Sequence, residues 1–219
     1  PIVDWMRDAY SRADALFALT PGMPFERYAN RVPAAPIARR GTARREALCA
    51  VLGVPHDSRI MQVAFGGLPL PMPTARWQLP SGWFAVVLAD GATDGPSVRA
   101  GLPEGWTYLD LLASVDLLVA KPGYGTFAEA GFAARDTLAV PRDDWPEGPY
   151  LIDWLARHAR VARIELEDVR AGRFETAITA LRSQPTRRAA EGDGAAQVAD
   201  AIVARLAARA QRLEMLSRP

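Results

Sequence analysis

Short apolar segments separated by helical patterns dominate the chain from residue 60 onward. They are often β-branched and bounded by Gly, Pro or Asp, which is typical of strands. The strand candidates are IMQVAF (60–65), WFAVVLA (83–89), WTYL (106–109), VDLLVA (115–120), TLAVP (137–141) and VARIEL (161–166), with helices predicted over 109–114, 125–134, 149–159 and 174–181. Because the strands lack polar alternation and alternate with helices, we predict an α/β fold: a doubly wound, Rossmann-like parallel sheet covered on both faces.

Both ends of the chain are predicted to be helical. The pattern over 4–19 indicates a first helix, and a Pro-rich connector follows through residues 32–46, as in an inter-domain linker. An Ala-rich amphipathic sequence entered through Gly192 and Gly194 predicts a long C-terminal helix. Since the chain opens on Pro1 and runs directly into a helical pattern, we expect it to be cut from a longer protein.

Composition narrows the classes of partner. The 219 residues are 49% hydrophobic and carry a net charge of +1 with both signs mixed, so neither a nucleic-acid groove nor an anionic membrane surface is expected. The single Cys49 excludes an internal disulfide framework and fits a reducing compartment, hence a cytoplasmic location. No apolar segment approaches the length of a membrane span.

Three loops at the carboxyl ends of predicted strands are the candidates for a ligand site, because open α/β sheets bind ligands at that edge. They are FGGLPLPMP (65–73), KPGYGTFAEA (121–130) and PRDDWPEGPY (141–150). The first offers backbone contact at Gly66 and Gly67, or only a tight turn. The third offers Arg142 and Glu147 around Trp145, or only a surface for domain contact.

The loop KPGYGTFAEA has the chemistry of a phosphate cradle. Gly123 and Gly125 allow close backbone approach, and Thr126 is predicted to start a helix whose exposed amides suit an anion. Lys121 adds a positive charge, and the Glu129 carboxylate can accept hydrogen bonds from both hydroxyls of a ribose. A capping box of Thr126 and Glu129 explains the same spacing without any ligand, so both interpretations stay open.

Other motifs are weaker or missing. The sequence has no GxxxxGK[ST] segment, no GxSxG nucleophile elbow and no spacing typical of a metal cluster. Gly123, Gly125 and Ala128 satisfy G-x-G-x-x-A, but this segment follows a fourth strand, and the next strand ends in Pro141 and Arg142. That context is unlike a dinucleotide fingerprint, and an NADP site remains only an alternative.

Read in order, VAFGG, YLDLLASVDLLVAKPGYGTFAEA and LAVPRDDWPEGPYLIDWL resemble the carboxyl-terminal domain of GT-B glycosyltransferases over roughly residues 37–203. The group that looks most similar is the family 28-like one, which includes the amino-terminal region of plant arabinose kinases. The resemblance implies a domain that holds the nucleotide of a sugar donor, expected to be UDP-linked. It implies a nucleotide sugar as substrate and no cofactor.

The resemblance also assigns roles to residues. It implies that Gly66 and Gly67 lie beside the donor diphosphate or sugar, although LPLPMP departs from the family's richer Gly/Ser loop. The implied phosphate and ribose contacts are Gly123, Gly125, Thr126 and Glu129, with Glu147 near the donor sugar. The charges of Lys121 and Arg142 make them candidates for the phosphates and for the donor sugar respectively. Departing UDP would be stabilised by backbone amides and the helix dipole rather than by a metal.

The resemblance implies that part of the enzyme lies outside this chain. Residues 1–41 are interpreted as the tail of a missing amino-terminal domain plus a linker, and 42–219 as the nucleotide-sugar-binding domain. The general base is expected in the missing domain, so no catalytic residue is assigned. The alternatives to glycosyl transfer are a nucleotide-sugar hydrolase or epimerase of the same fold, and a non-catalytic binding module.

Overall fold

The computed structural model describes residues 2–67 and 70–216. They form two compact units, one from residues up to Ile37 together with those from Glu191 onward, the other from Ala38–Ala190. In chain order the elements are α1 (Ile2–Arg12), β1 (Leu16–Leu19), β2 (Arg31–Ala34), α2 (Arg45–Leu52), β3 (Arg59–Ala64), a 3-10 turn (Thr74–Arg76), β4 (Trp83–Leu88), β5 (Val98–Ala100), α3 (Tyr108–Ser114), β6 (Leu117–Ala120), α4 (Tyr124–Phe132), β7 (Asp136–Ala139), α5 (Gly148–Leu155), β8 (Val161–Arg163), α6 (Leu166–Arg170), α7 (Glu175–Arg182) and α8 (Gly194–Leu216). The predicted domain boundary at residue 41 stays a prediction.

The first unit contains a helix and a parallel pair of strands. The predicted helix over 4–19 is confirmed up to Arg12, where α1 ends, and is wrong beyond it, because Leu16–Leu19 form β1, which pairs with β2. The Leu16 amide donates to the Asn30 carbonyl at 3.0 Å, and Asn30 Nδ2 donates to the Tyr10 and Ala13 carbonyls at 2.8 Å each. These non-local bonds outweigh a local helical pattern, which is only a weak preference.

The predicted long C-terminal helix is confirmed as α8 and belongs to the same unit. Its first residue, Gly194, donates its amide to the Pro36 carbonyl at 3.1 Å, and a Cβ there would overlap the backbone of Ala35. The side chain of Gln197 accepts from the Ala35 amide at 2.7 Å. Among the described helices, none is both long and apolar enough to cross a lipid bilayer.

The second unit is built on a six-stranded sheet in which all neighbouring strands are parallel, in the order β5-β4-β3-β6-β7-β8. The chain runs outward from β3 to β5, returns to the centre at β6 and runs outward on the other side to β8. Counted from β3, this is the strand order of a Rossmann sheet. The predicted fold class is confirmed.

Helices cover both faces of this sheet, as expected for a doubly wound fold. On one face, strand side chains pack against Val169 and Ile178 of the α6 and α7 region. On the other face, Ile60 packs with residues of α2 and α3, and Leu118 packs with residues of α4 and α5. The edge that carries the loops after β3, β6 and β7 is thereby held on a buried, rigid frame.

One predicted strand is wrong and another strand was missed. The segment WTYL forms the start of α3, because the Thr107 side chain accepts the Asp110 amide at 3.1 Å and caps the helix at Tyr108. The missed strand is β5, an edge strand of the sheet. Its sequence, VRA, is too short and too polar to be predicted as a strand. The other predicted strands and helices are present with shifted ends, whereas α2 and α6 were not predicted.

Candidate functional site

The loops after β3 and β6 begin side by side at the centre of the sheet. Val63 of β3 is paired with Val119 of β6, and the chain leaves the two strands towards Gly66 and Lys121. The strand order reverses between these two strands, which is where open α/β sheets have their ligand crevice. Two of the three predicted loops therefore meet at the switch point. Leu68 and Pro69 of the first loop lie outside the described residues.

The loop after β6 leads directly into the amino terminus of α4. Gly123 precedes the helix in an extended conformation, and its carbonyl accepts the first helical bond from the Phe127 amide at 2.9 Å. The backbone amides in the first turn of an α-helix point out of its amino terminus, so the first turn of α4 suits an anion. The capping-box interpretation is wrong, because the helix begins before Thr126, which is its third residue.

Gly123 and Gly125 have no packing role in the described chain. A Cβ built on either glycine meets no described atom within 4 Å, and neither residue has a positive φ. Gly131 of the same helix is different, because its Cβ would lie 2.5 Å from the Trp154 ring. The two glycines thus keep an open surface at the helix amino terminus. Gly66, with φ +61°, is needed for its turn.

Glu129 is a largely enclosed carboxylate on α4. Its side chain is 12% exposed, and its Oε1 lies 3.8 Å from Nε of Arg39, which is 82% exposed. Burial raises the pKa of Glu129, and the nearby Arg39 guanidinium opposes that shift. Arg39, which lies in the segment predicted to be a Pro-rich connector, is its ion partner here.

Tyr108 joins this group and was missed from the sequence. Burial raises the pKa of the Tyr108 phenol to about 12; the neighbouring Thr126 side chain lowers it and the Glu129 charge raises it further. The first residue of α3 thereby lies beside the predicted phosphate and ribose residues of α4. Its segment was predicted to be a strand, so no sequence signal placed the ring at the site.

Lys121 and Arg142 lie close enough to influence each other. Burial lowers the pKa of Lys121, and the like charge of Arg142 adds to this effect. Arg142 makes a bidentate pair with Asp144, at 3.1 Å from Nε and 2.8 Å from Nη2, and its guanidinium lies 5.3 Å from the Trp145 ring. The loop after β7 therefore adds a second cation next to the loop after β6.

A cavity of about 620 Å³ extends from these loops along α5. Its lining includes Pro122, Arg142, Trp145 and Ile152. The start of α5 lies near the loop after β6, since a Cβ built on Gly148 would lie 3.9 Å from Pro122. Glu147 immediately precedes α5, and burial raises the pKa of its carboxyl group. The predicted roles of Arg142 and Glu147 at a donor sugar stay predictions.

No carboxylate ends the strand after the G-x-G-x-x-A segment: β7 ends at Ala139 and is followed by Pro141 and Arg142. In the described part of the chain, no group of three or more His, Cys, Asp or Glu side chains is arranged to hold a metal ion. The expectation that no cofactor is used stays a prediction.

No protein-family model matches the chain. L-arabinokinase of Arabidopsis thaliana is 27% identical over 161 residues, which cover 70% of this chain and 15% of that protein. The solved structures that resemble the chain include the glycosyltransferase of kitacinnamycin, with 21% identity and a TM-score of 0.47 over 68% of this chain and 40% of that one. Another is the spinosyn forosaminyltransferase SpnP, with 14% identity and a TM-score of 0.48 over 78% of this chain and 47% of that one.

The similarity to a plant arabinokinase that the motifs indicated is confirmed by the match to L-arabinokinase. The chain spans a small part of the curated relative, 15% of its length, and less than half of each of the two solved structures.

Proposed function

We propose that the 38–190 unit is the donor-binding half of a glycosyltransferase that takes a sugar from a nucleotide diphosphate sugar, with UDP as the expected nucleotide. The observation that carries the proposal is the amino terminus of α4, which opens beside the loop after β3 at the switch point of the sheet and is lined by Gly123 and Gly125.

The residues around this helix end fit the parts of a nucleotide diphosphate. First-turn amides of α4, Thr126 and the Lys121 ammonium would bind the diphosphate, with Gly66 and Gly67 beside it. The Glu129 carboxylate would accept from the ribose hydroxyls, exchanging its contact with the exposed Arg39 for these bonds.

The same groups would stabilise charge in the reaction. When the bond between the sugar and the diphosphate breaks, negative charge builds up on the leaving diphosphate. Backbone amides and a cation that are already oriented stabilise that charge without having to move. Electrostatic catalysis is most effective under this condition. Arg142 and Glu147 would lie towards the donor sugar, on the side where Pro122 and Arg142 line the same cavity. The role proposed for the 38–190 unit is therefore limited to binding the donor and stabilising the leaving group.

Titration calorimetry of UDP into the chain tests the proposal. We expect binding, and we expect Glu129→Gln to weaken it by about 10-fold to 100-fold, because hydrogen bonds to a charged group contribute about 1.5–3 kcal/mol. Glu175→Gln, an exposed acid at the start of α7, is the matched control and should bind like the parent chain. Absence of UDP binding, or equal affinity in the Glu129 variant, contradicts the proposal.

A non-catalytic sugar-nucleotide-binding module is the second candidate. The match to L-arabinokinase supports it, because the matched region is a small part of a protein named for a kinase activity. Product analysis of the full-length protein with UDP-sugar and acceptor mixtures separates the two. Release of UDP coupled to a glycosylated product supports transfer, whereas tight binding without turnover supports the module.

A further inference from the structure

A second cavity, of about 270 Å³, lies at the opposite edge of the six-stranded sheet. It is lined by the first residues of four strands, Arg59 of β3, Trp83 of β4, Leu117 of β6 and Asp136 of β7. In a parallel sheet these amino-terminal ends face away from the carboxyl ends that carry the loops after β3 and β6. The cavity is therefore separate from the proposed nucleotide site.

Arginines outnumber carboxylates in this cavity, and both carboxylates are already paired. The lining includes five arginines but only Asp116 and Asp136 as acids. Asp116 lies 2.9 Å from Arg45 and 4.0 Å from Arg59. Asp136 receives Nε of Arg160 at 3.0 Å on each of its two oxygens. Each negative charge is thus already offset by its own arginine partners.

Three lining arginines, Arg135, Arg182 and Arg187, have no carboxylate at ion-pair distance within residues 2–67 and 70–216; we call them the arginine cluster. Arg135 donates to the carbonyls of Val115 and Ala113, while its buried Nε has no partner among the described residues. Arg182 packs over the Trp83 ring at 5.4 Å.

Positive charges gathered in one concave site repel one another, and burial removes water from around the charge of Arg135, a cost that the charges of Asp116 and Asp136 offset only in part. A bound anion relieves both costs. Arginine suits a phosphate best, because its planar fork offers parallel N–H donors to two oxygens at once. The size of the cavity, about 270 Å³, suits a phosphate group carrying at most a small organic moiety.

We propose that the arginine cluster binds a small phosphate-bearing anion, either inorganic phosphate or the phosphate monoester of a small molecule, at a site independent of the nucleotide edge. The two aspartates orient Arg59 and Arg160 at the walls of the cavity, and Arg182 and Arg187 supply the exposed donors.

Calorimetry of the full chain with inorganic phosphate, and separately with glucose 1-phosphate, tests this proposal at constant ionic strength. We expect binding of at least one probe. We expect the double change Arg182→Gln with Arg187→Gln to weaken it at least about 10-fold, since each charged hydrogen bond lost has an effect of that order. The single change Arg187→Gln, at an exposed position, should weaken binding less and guards against misfolding of the double variant.

A control variant locates the site. Arg173→Gln, an exposed arginine paired with Asp168 away from the cavity, should bind phosphate like the parent. Failure of the parent to bind either probe, equal binding by the parent and both arginine variants, or equal weakening in Arg173→Gln and the double variant overturns the proposal. These outcomes do not depend on whether the chain binds UDP.

Discussion

Gly123 precedes α4 and Gly131 lies in its last turn, but only Gly131 is required by packing. We predict that Gly131→Ala lowers the free energy of unfolding by about 2 kcal/mol, because its methyl group would press on the Trp154 ring at 2.5 Å. Gly123→Ala should cost less than about 1 kcal/mol, since its Cβ meets no described atom within 4 Å. The methyl group of Gly123→Ala should also weaken UDP binding at least about 10-fold, because it blocks close approach of the diphosphate to the backbone. Urea denaturation and calorimetry measure the two effects; equal destabilisation by both changes, or unaltered UDP affinity in Gly123→Ala, contradicts this assignment.

Glu129 gives a pH dependence whose sign follows from its raised pKa. The folded chain holds this proton to a higher pH than the unfolded chain, so its contribution to stability falls as pH rises from the ordinary value of 4.5 through the raised pKa. Glu129→Gln removes this fall. We predict that the stability of the variant relative to the parent increases across that pH interval, by less than about 1 kcal/mol because Arg39 partly compensates the charge. Thermal unfolding at a series of pH values checks this, with Glu175→Gln as control. A relative stability that decreases with pH contradicts it.

At the residue scale, the sequence identified candidate site residues but not the atoms that surround them in the fold. Lys121, Gly123 and Glu129 were candidates from chemistry and spacing alone. The open space beside Gly123 depends on neighbours far away in sequence, so no local pattern reports it. The capping box failed for a similar reason, because a Thr and a Glu three residues apart do not determine where a helix begins.

At the element scale, Thr107 determines where α3 starts and hence where Tyr108 lies. Its side chain accepts the Asp110 amide at 3.1 Å. We predict that Thr107→Ala lowers the free energy of unfolding by about 1 kcal/mol, the usual loss for a helix cap. Thr176→Ala, at an exposed position within α7, is the matched control and should change stability by less than about 0.5 kcal/mol. Chemical denaturation measures the free energy of unfolding of both variants. Equal losses in Thr107→Ala and Thr176→Ala would show that Thr107 does not act as a cap.

Elements with strong local patterns were predicted, and those that depend on a distant partner were not. The apolar strands β3, β4 and β6 stood out because they are buried on both faces. β1 was assigned to a helix, since its pairing with β2 involves residues that are far apart in sequence. β5 has only three residues, VRA, and is a strand because it pairs with β4.

At the scale of the whole molecule, the Ala38–Ala190 unit contains the complete six-stranded sheet and its packed clusters. We predict that residues 38–190 expressed alone fold cooperatively, because a unit of this size with its own core is sufficient for independent folding. Circular dichroism with thermal or urea unfolding checks this. A single cooperative transition is expected. A broad, non-cooperative transition or an unfolded spectrum contradicts it.

The order of the strands was the part of the architecture that the sequence could not supply. Alternating strands and helices predicted a parallel sheet, but many orders satisfy that pattern. The observed order pairs β3 with β6 and so places the loop of Gly66 beside the loop of Lys121, at the point where the strand order reverses. The same order sets Arg182 and Arg187 at the opposite edge.

The most direct test of the proposed nucleotide site is an amide NMR titration of the isotope-labelled chain with UDP. We predict that the largest shifts fall on Gly123, Gly125 and Thr126, followed by Glu129, and that Glu129→Gln needs about 10-fold to 100-fold more UDP to reach the same shifts. Amides around Arg182 should remain unchanged. Shifts concentrated elsewhere on the molecule, or no shifts at saturating UDP, would contradict a nucleotide site at the amino terminus of α4.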